Sequence, residues 1–480
     1  MRLFIRDGLV MTIDSDRRVI SDGAVVVEGN RIVAVGKASD LEAEYSSHRV
    51  MDASGMIVMP GFVNAHGHFF ATIMRGPKDD GRRLSRRTYD GRQAHGKYYW
   101  NAAEWHLDRE DCYASTMLTA VEMIKSGMTC ADDHMYLNFD KHAIDGVAQG
   151  VVDSGIRVML GRSCWDMPGL TPDELIEDFD TAVAETERVI SEWHGKGNGR
   201  VQVQGDAAQL SQSSDRIIVA MKELADRHGL SYTTSVCERL GARYYDLRRG
   251  DPSLARFGGR SIEYLQHLGV LGPTTKIVHC LHDITEREID ILAETQTSVA
   301  HCPVANAKGR ARVVPVPRML EKGVTVGLGT DSTLGNDMFL QMKACAFLHK
   351  VNDGDIRVMP AEKAIELATI DSAKSMQLDA ELGSLETGKK ADIILLSMDA
   401  PGFTPNLLPV KDFVYTAANG SMVDTVIIDG QIVMEGRVIK TFDETAVLRA
   451  GEDAARRVMR AAGHLERDPS YLTPPPWKYV

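Results

Sequence analysis

The pattern of apolar and polar positions changes rhythm twice along this chain. Over the first 56 residues, short β-like apolar runs alternate with turn residues. The stretch "GAVVVEGNRIVAVG" (residues 23–36) reads as a hairpin, with Glu28, Gly29 and Asn30 supplying its turn. The same texture returns late, in "KADIILLS" (390–397) and in "VDTVIIDGQIVMEGRVI" (423–439), the latter with an Asp429-Gly430 turn. Each segment is too short to bury a core alone, so the two ends are expected to pair into one small β domain.

Between them the rhythm becomes apolar strand, polar loop, amphipathic helix, repeated. The strands are "RVMLGRS" (157–163), "RVQVQGD" (200–206), "GLSYTTSV" (229–236), "TKIVHCLH" (275–282), "TSVAHCP" (297–303) and "VTVGLGTDS" (324–332). One intervening helix, "SDRIIVAMKELADRHG", has Ser214 or Asp215 as its N-cap and Gly229 as its stop. Repeated βα units with polar residues gathered just after each strand predict a closed (β/α)8 barrel, a TIM-like α/β fold. An open doubly wound sheet would want a glycine-rich phosphate loop, and the sequence offers none. The expected organisation is a composite β-sandwich from 1–56 and 390–445, a barrel from 57–389, and a C-terminal helix with an extended tail over 446–480. Residues 76–100, locally basic, read equally as a solvated loop or as a lid over the barrel mouth.

Composition narrows the function. Charged residues are 25% of the chain and the formal net charge is −12, which argues against a nucleic-acid or anionic-membrane partner. The start, "MRLFIRDGLVMTID", mixes charge into its apolar residues and is a poor signal peptide; no run of about 18 apolar residues suggests a membrane span. Seven cysteines, none in a CxxC pair, fit reduced thiols in the cytoplasm.

The candidate chemistry sits at strand ends. His66 and His68 flank Gly67 after the apolar run "MIVMPGFVNA", and residues two apart on a strand face the same way, so both imidazoles can meet one metal. Asp331 ends "VTVGLGTDS", where a carboxylate can be ligand, base or helix cap. His279, His282 and His301 also terminate apolar strands. A buried histidine there is ordinarily a satisfied core group, but four strand ends carrying such groups make convergence on one centre the simpler account.

Five stretches, "PGFVNAHGH", "SGMTCADDH", "HCLHDITEREIDILAETQTSVAHCPVANAK", "VTVGLGTDS" and "ELGSLETGKKADIILL", resemble the amidohydrolase superfamily, in the branch of aminohydrolases and triazine- or phenylurea-type hydrolases. The resemblance covers about residues 1–440. It implies one divalent transition metal per chain, zinc first, with iron, cobalt or manganese as alternatives. It assigns metal ligation to His66, His68 and Asp331, proton transfer to Asp331, and substrate polarisation to His279, which could also move in as a ligand. Glu238 would orient a substrate ring, and His301 and His134 would contact substrate, His134 from the pocket rim.

Two departures stand out. The strand-five histidine of the family falls on Ser235, a poor zinc ligand, and its substrate-contacting histidine falls at Ala208 or Gln209. The expected activity is hydrolysis of an amide, urea or carbamate-like C–N bond in a small, possibly xenobiotic, molecule. The alternatives are a deaminase of a cyclic amidine or purine-like ring, and a barrel kept only for binding or assembly. Partners are expected to be a small-molecule substrate and further copies of the chain.

Overall fold

A computed structural model of the protein describes residues 2–75, 106–168, 173–210, 212–236, 257, 260–280, 284–308, 313–331, 335–417 and 419–461. The N-terminal segment gives β1 (Arg2–Met11), β2 (Val19–Glu28), β3 (Arg31–Lys37), β4 (Arg49–Asp52) and β5 (Met56–Pro60). Eight central strands follow: β6 (Phe62–Gly67), β7 (Met128–Met135), β8 (Arg157–Arg162), β9 (Val201–Gln209), β10 (Tyr232–Val236), β11 (Thr275–His279), β12 (Ser298–His301) and β13 (Val326–Leu328). The last four are β14 (Ile393–Ser397), β15 (Val423–Ile428), β16 (Gln431–Glu435) and β17 (Val438–Ile439).

Both chain ends build one sheet, in the order β17-β16-β15-β14-β5-β1-β2-β3, with β4 beside β1. The seam is the antiparallel pairing of β5 with β14, from Pro60 opposite Ile393 to Met56 opposite Ser397. Period-two alternation divides its side chains. Val58, Ile393, Leu395 and Ile427 join Leu3, Ile5, Val25 and Val27 in the β domain's own core. Ile57, Met59, Ile394, Leu396, Val426 and Ile428 point the other way, into the core shared with the barrel. The two hairpins expected from the sequence form, and they touch: Asn30 Nδ2 donates to Asp429 Oδ1 at 3.1 Å. Asp429 and Gly430 both adopt positive φ, the backbone of a two-residue hairpin turn.

Strands β6 to β13 are all parallel to their neighbours, and a bridge between Gly67 and Asp331 brings the last strand end back to the first. The barrel is therefore closed, as the βα rhythm implies. Helices alternate with the strands, among them Arg109–Lys125, Ala143–Ser154, Phe179–Trp193, Asp215–His228, Glu286–Glu294 and Met338–Asp353. Of the two cap residues the sequence allows for Asp215–His228, Ser214 does the capping: its hydroxyl accepts from the Ile217 amide at 3.3 Å, and Gly229 ends the helix in the left-handed region. The barrel floor is apolar, with Val63, Cys130 and Met159 packed on Met376 and Leu382.

The barrel is tied to the β domain by a buried ion cluster. Arg157 Nη2 lies 3.2 Å from Asp392 and 3.4 Å from Asp429, and Lys390 is 3.1 Å from Asp429. The C-terminal helix, Glu444–Ala461, returns to pack on Arg109–Lys125. Among the described residues, no helix is long and apolar enough to cross a membrane. The 76–100 lid and the extended tail lie outside the described residues.

Candidate metal centre

His66 and His68 end β6, Asp331 stands three residues past β13, and His279 ends β11. The closed barrel brings them together. Asp331 Oδ1 is 3.4 Å from His68 Nε2 and 3.9 Å from His66 Nε2, and Asp331 Oδ2 is 3.9 Å from His279 Nε2. The ring centroids of His66 and His279 are 5.2 Å apart. Both His279 (φ 75°) and Asp331 (φ 59°) hold left-handed backbone, a strain of about 1–3 kcal/mol each for non-glycine residues and one that collects at functional sites. The strain at Asp331 is fixed by strand one: the amides of Thr330 and Asp331 both donate to the His66 carbonyl, at 2.9 and 3.0 Å. Asn64 adds a second tie, its side chain pairing with the Thr330 amide and hydroxyl.

The arrangement fits a cation. His66 is buried with neither ring nitrogen hydrogen-bonded among the described residues, and leaving a buried polar group unmet costs about 1–3 kcal/mol. His68 Nδ1 donates to the His134 carbonyl at 2.8 Å, which fixes the tautomer and turns the Nε2 lone pair toward Asp331. Burial, with His134 and His68 adding repulsion, holds His66 well below its ordinary pKa and so neutral, the form that ligates. Burial likewise lowers His279, against the opposing pull of Asp331. One ligand atom from each of His66, His68 and Asp331 lies within 4.8 Å of the others. Two imidazoles and a carboxylate with an open side match a catalytic zinc site, which keeps three protein ligands and a free position.

Beneath these residues the barrel interior is polar. Lys276 Nζ pairs with Asp132 Oδ2 and donates to the Ala65 carbonyl at 2.9 Å. Gln204 donates to the same Asp132 oxygen at 2.9 Å. The His134 ring is held between Asp132 (Nε2 to Oδ1, 2.7 Å) and Asp206 (Nδ1 to Oδ2, 3.1 Å). Burial alone would lower His134, but Asp206 and Asp132 outweigh it and raise it to about 10. Burial would raise Asp132, yet the charges of Lys276 and His134 hold it at about 2. The packing is close enough to dictate a glycine: a Cβ at Gly161 would stand 2.7 Å from the Asp206 carboxylate.

His66, His68, Asp331 and His279 converge. His134 is buried inside the barrel under the ligands, 2% exposed and clamped by two carboxyls, where the rim was expected. His301 is buried beside His349, ring centroids 5.3 Å apart. Ser235 is on β10 opposite Val278, one residue before His279. Ala208 holds a left-handed φ of 52° at the end of β9. Glu238 and His282 lie outside the described residues. Asn64, Asp132, Asp206 and Lys276 escaped the sequence reading, although charged residues inside the strands "MTCADDHM" and "TKIVH" were the signal that could have found them.

An aromatic wall flanks the ligands. Tyr136 lies edge-on to His68 at 5.0 Å and to Phe70 at 4.7 Å, and stacks on Trp165 at 5.2 Å and 24°.

Comparison with known proteins bears on this geometry. The model of the amidohydrolase family matches residues 57–433, and residues 23–45 match an imidazolonepropionase-like composite domain of bacteria. A 5-methylthioadenosine/S-adenosylhomocysteine deaminase of Desulforamulus reducens is 34% identical over 461 residues, 95% of this chain and 99% of the relative. A 5'-deoxyadenosine deaminase of Methanosarcina acetivorans is 32% identical over 96% of this chain and 99% of its own. Among solved structures, an adenosine deaminase from Xanthomonas campestris with bound zinc superposes with a TM-score of 0.83 at 25% identity, covering 95% of this chain and 98% of that one. An atrazine chlorohydrolase from Arthrobacter aurescens complexed with zinc shares the fold, with a TM-score of 0.80 at 22% identity over 94% of this chain and all of that one.

Proposed function

This chain belongs to the amidohydrolase family and hydrolyses a carbon–nitrogen bond other than a peptide bond with the help of a divalent metal; on that premise we propose that one zinc sits between His66, His68 and Asp331 and that the bond broken frees nitrogen from a small, flat, nitrogen-bearing ring. The observation that carries the ring is the aromatic wall, because Tyr136 stands against His68, backed by Trp165. Aromatic faces favour stacked, planar partners over extended chains. The deaminase relatives support an amino group as the nitrogen released.

A divalent metal held by His66, His68 and Asp331 would supply a bound water of pKa near about 7, acidic enough to give a nucleophile at neutral pH. Asp331 accepts the proton that the attacking water gives up and returns it to the departing nitrogen. His279, across from Asp331, donates from Nε2 to the atom that gains negative charge. His68 is held in its tautomer by the His134 carbonyl, so His134 serves from below as a positioning residue. Glu238, assigned from its place in the sequence, orients the ring.

Amides, ureas and carbamates, ranked first from the sequence, form the second reading. It is favoured by Ala208 and Gln209, which stand where a ring-contacting histidine is expected, and it breaks the same class of bond. The protein acts in the cytoplasm as a homo-oligomer in either case; Cys112, Cys130, Cys164, Cys302 and Cys345, all buried and free of disulfides, support a reducing setting. The non-catalytic alternative is set aside, since the ligands, the strained Asp331 and the polar interior are retained together.

The test pairs metal content with turnover. Asp331→Asn is expected to lower ammonia release from aminopurine nucleosides by about 10³-fold with the fold intact. His279→Ala should lose turnover and keep zinc; loss of both would move His279 into the ligand set. Full activity in Asp331→Asn, or activity on arylureas with none on ring amines, would overturn the corresponding part of the reading.

A further inference from the structure

Behind the site, a second group of chemically able side chains is buried and unserved. The helix Met338–Asp353, which follows the last barrel strand, carries Gln341, Cys345 and His349 at four-residue spacing, hence on one face. That face meets the end of β12, where His301 stands, and the short helix after it (Pro303–Lys308), which carries Asn306. All five side chains are buried, Gln341, Cys345 and His349 completely. Among the described residues, neither ring nitrogen of His301, neither ring nitrogen of His349, nor Asn306 Nδ2 nor Gln341 Nε2 has a hydrogen-bond partner. A neutral imidazole needs one donor satisfied and one acceptor, so these two rings alone leave four unmet positions at about 1–3 kcal/mol each. One ligand atom from each of His301, Cys345 and His349 lies within 4.8 Å of the others.

We propose that His301, Cys345 and His349 bind a zinc-class transition ion at a structural site distinct from the His66–His68–Asp331 centre, with the Gln341 or Asn306 amide oxygen as fourth ligand. Two imidazoles, one sulfur and an oxygen make a closed tetrahedral set of the kind that zinc takes in structural sites. Water would answer the imidazole nitrogens but gains little from a thiol, a weak donor and acceptor. Burial holds both imidazoles in the neutral form that ligates, His349 down to about 4. The Cys345 thiol gives its proton to solvent as the metal–sulfur bond forms, so one proton is released per ion bound. The ion would pin the end of β12 to the helix that follows β13, bracing the strand that ends near Asp331. It gives His301 a structural role in place of the substrate contact expected from the sequence.

The two centres differ in one readable atom: only this one contains sulfur. X-ray absorption at the zinc edge, on full-length protein reconstituted with zinc, is expected to show a zinc–sulfur shell at about 2.3 Å. Metal analysis should give two equivalents. Cys345→Ser should fall to one and lose the sulfur shell. His66→Ala with His68→Ala should also fall to one and keep it. Cys302→Ser is the control, because Cys302 is buried next in sequence to His301, and it should change nothing. One equivalent without sulfur in the wild-type protein, or a sulfur shell that survives Cys345→Ser, overturns the proposal. Should Cys345→Ser not fold, His349→Gln carries the comparison, and the wild-type spectrum decides the presence of sulfur without any variant. Loss of the catalytic zinc alone would count against the proposed function and leave this site standing.

Discussion

Lys276→Met tests whether the charges inside the barrel are paired as the geometry shows. Lys276 is 2% exposed and Asp132 fully buried. Methionine keeps much of the aliphatic stem and deletes the ammonium, so the change is electrostatic more than steric. Stripping one partner from a buried ion pair costs about 3–5 kcal/mol, because the other charge is left uncompensated. Here Asp132 would keep His134 Nε2 at 2.7 Å and Gln204 at 2.9 Å, which places the cost at the lower end, about 3 kcal/mol. With an unfolding entropy of about 2.1 cal/mol/K per residue, each kcal/mol moves the melting point of a chain of this size by about 1 °C, so a fall of about 3 °C is expected by calorimetry at one scan rate with zinc in excess. Lys276 also donates to the carbonyl of Ala65, next to His66. Zinc affinity at the catalytic centre should therefore fall by about tenfold or more, the usual effect of losing a group that orients a ligand. Adding Asp132→Leu should cost less than the sum of the two single changes, since Lys276 and Asp132 are then removed together and His134 keeps Asp206. A melting point within about 1 °C of wild type for Lys276→Met would refute the reasoning.

Three further changes probe other parts of the molecule. Arg157→Met strands Asp392 and Asp429 between barrel and β domain and should cost about 3–5 kcal/mol, read as a lower melting point. The same cluster sets an acid limit. Burial would raise Asp429, but the hydrogen bond from Lys390 and the charge of Arg157 outweigh it and lower it from 3.8. A carboxyl depressed on folding contributes its stability above the unfolded pKa and loses it as pH falls through the folded value, so the domain contact should weaken below about pH 4. A thermal series from pH 6 to pH 3 on wild type and Arg157→Met should converge at the acid end; a constant gap would count against it. Tyr136→Leu should raise KM for a flat ring substrate by about tenfold with kcat little changed, since an aromatic stack contributes about 0.5–1.5 kcal/mol. An unchanged KM would remove Tyr136 from the binding surface.

The barrel and the β domain were legible because each depends on local periodicity. "KADIILLS" shows its alternation to any reader, and the turn chemistry of Asp429-Gly430 is specific to one backbone shape. His66, His68 and Asp331 were legible because strand ends after apolar runs are where barrels gather chemistry. What stayed hidden depends on partners far apart in sequence. Nothing in "TKIVH" says that Lys276 meets Asp132, 144 residues earlier. His134 looked like a rim residue because its strand end was known but its depth was not; two carboxyls, one from the next strand but one, hold it inside. Cys345 and His349 read as ordinary helix residues until the β12 end is placed against them.

The absent strand-five imidazole is the feature that most distinguishes this centre, and electrostatics explain why it can be lost while Asp331 cannot. Among the buried groups around the ligands, Lys276 and His134 are set against Asp132 and Asp206, while burial raises the neighbouring Asp133 carboxyl to about 7. A divalent ion adds two positive charges and Asp331 returns one negative. A histidine at position 235 would add a donor but no charge, so its loss weakens the site without unbalancing it. Ser235→His should therefore tighten metal binding by at least about tenfold, or 1.4 kcal/mol, while leaving the charge state of the centre alone. The register supports the geometry, since Ser235 pairs with Val278, the neighbour of His279, on the adjacent strand. Metal retention against a graded chelator is the measurement, with Asp331→Asn as the opposite case, expected to lose the ion. Were Ser235→His to hold zinc no better than wild type, residue 235 would not face the ion, and His279, 3.9 Å from Asp331, would be left as the candidate imidazole from beyond strand one among the described residues.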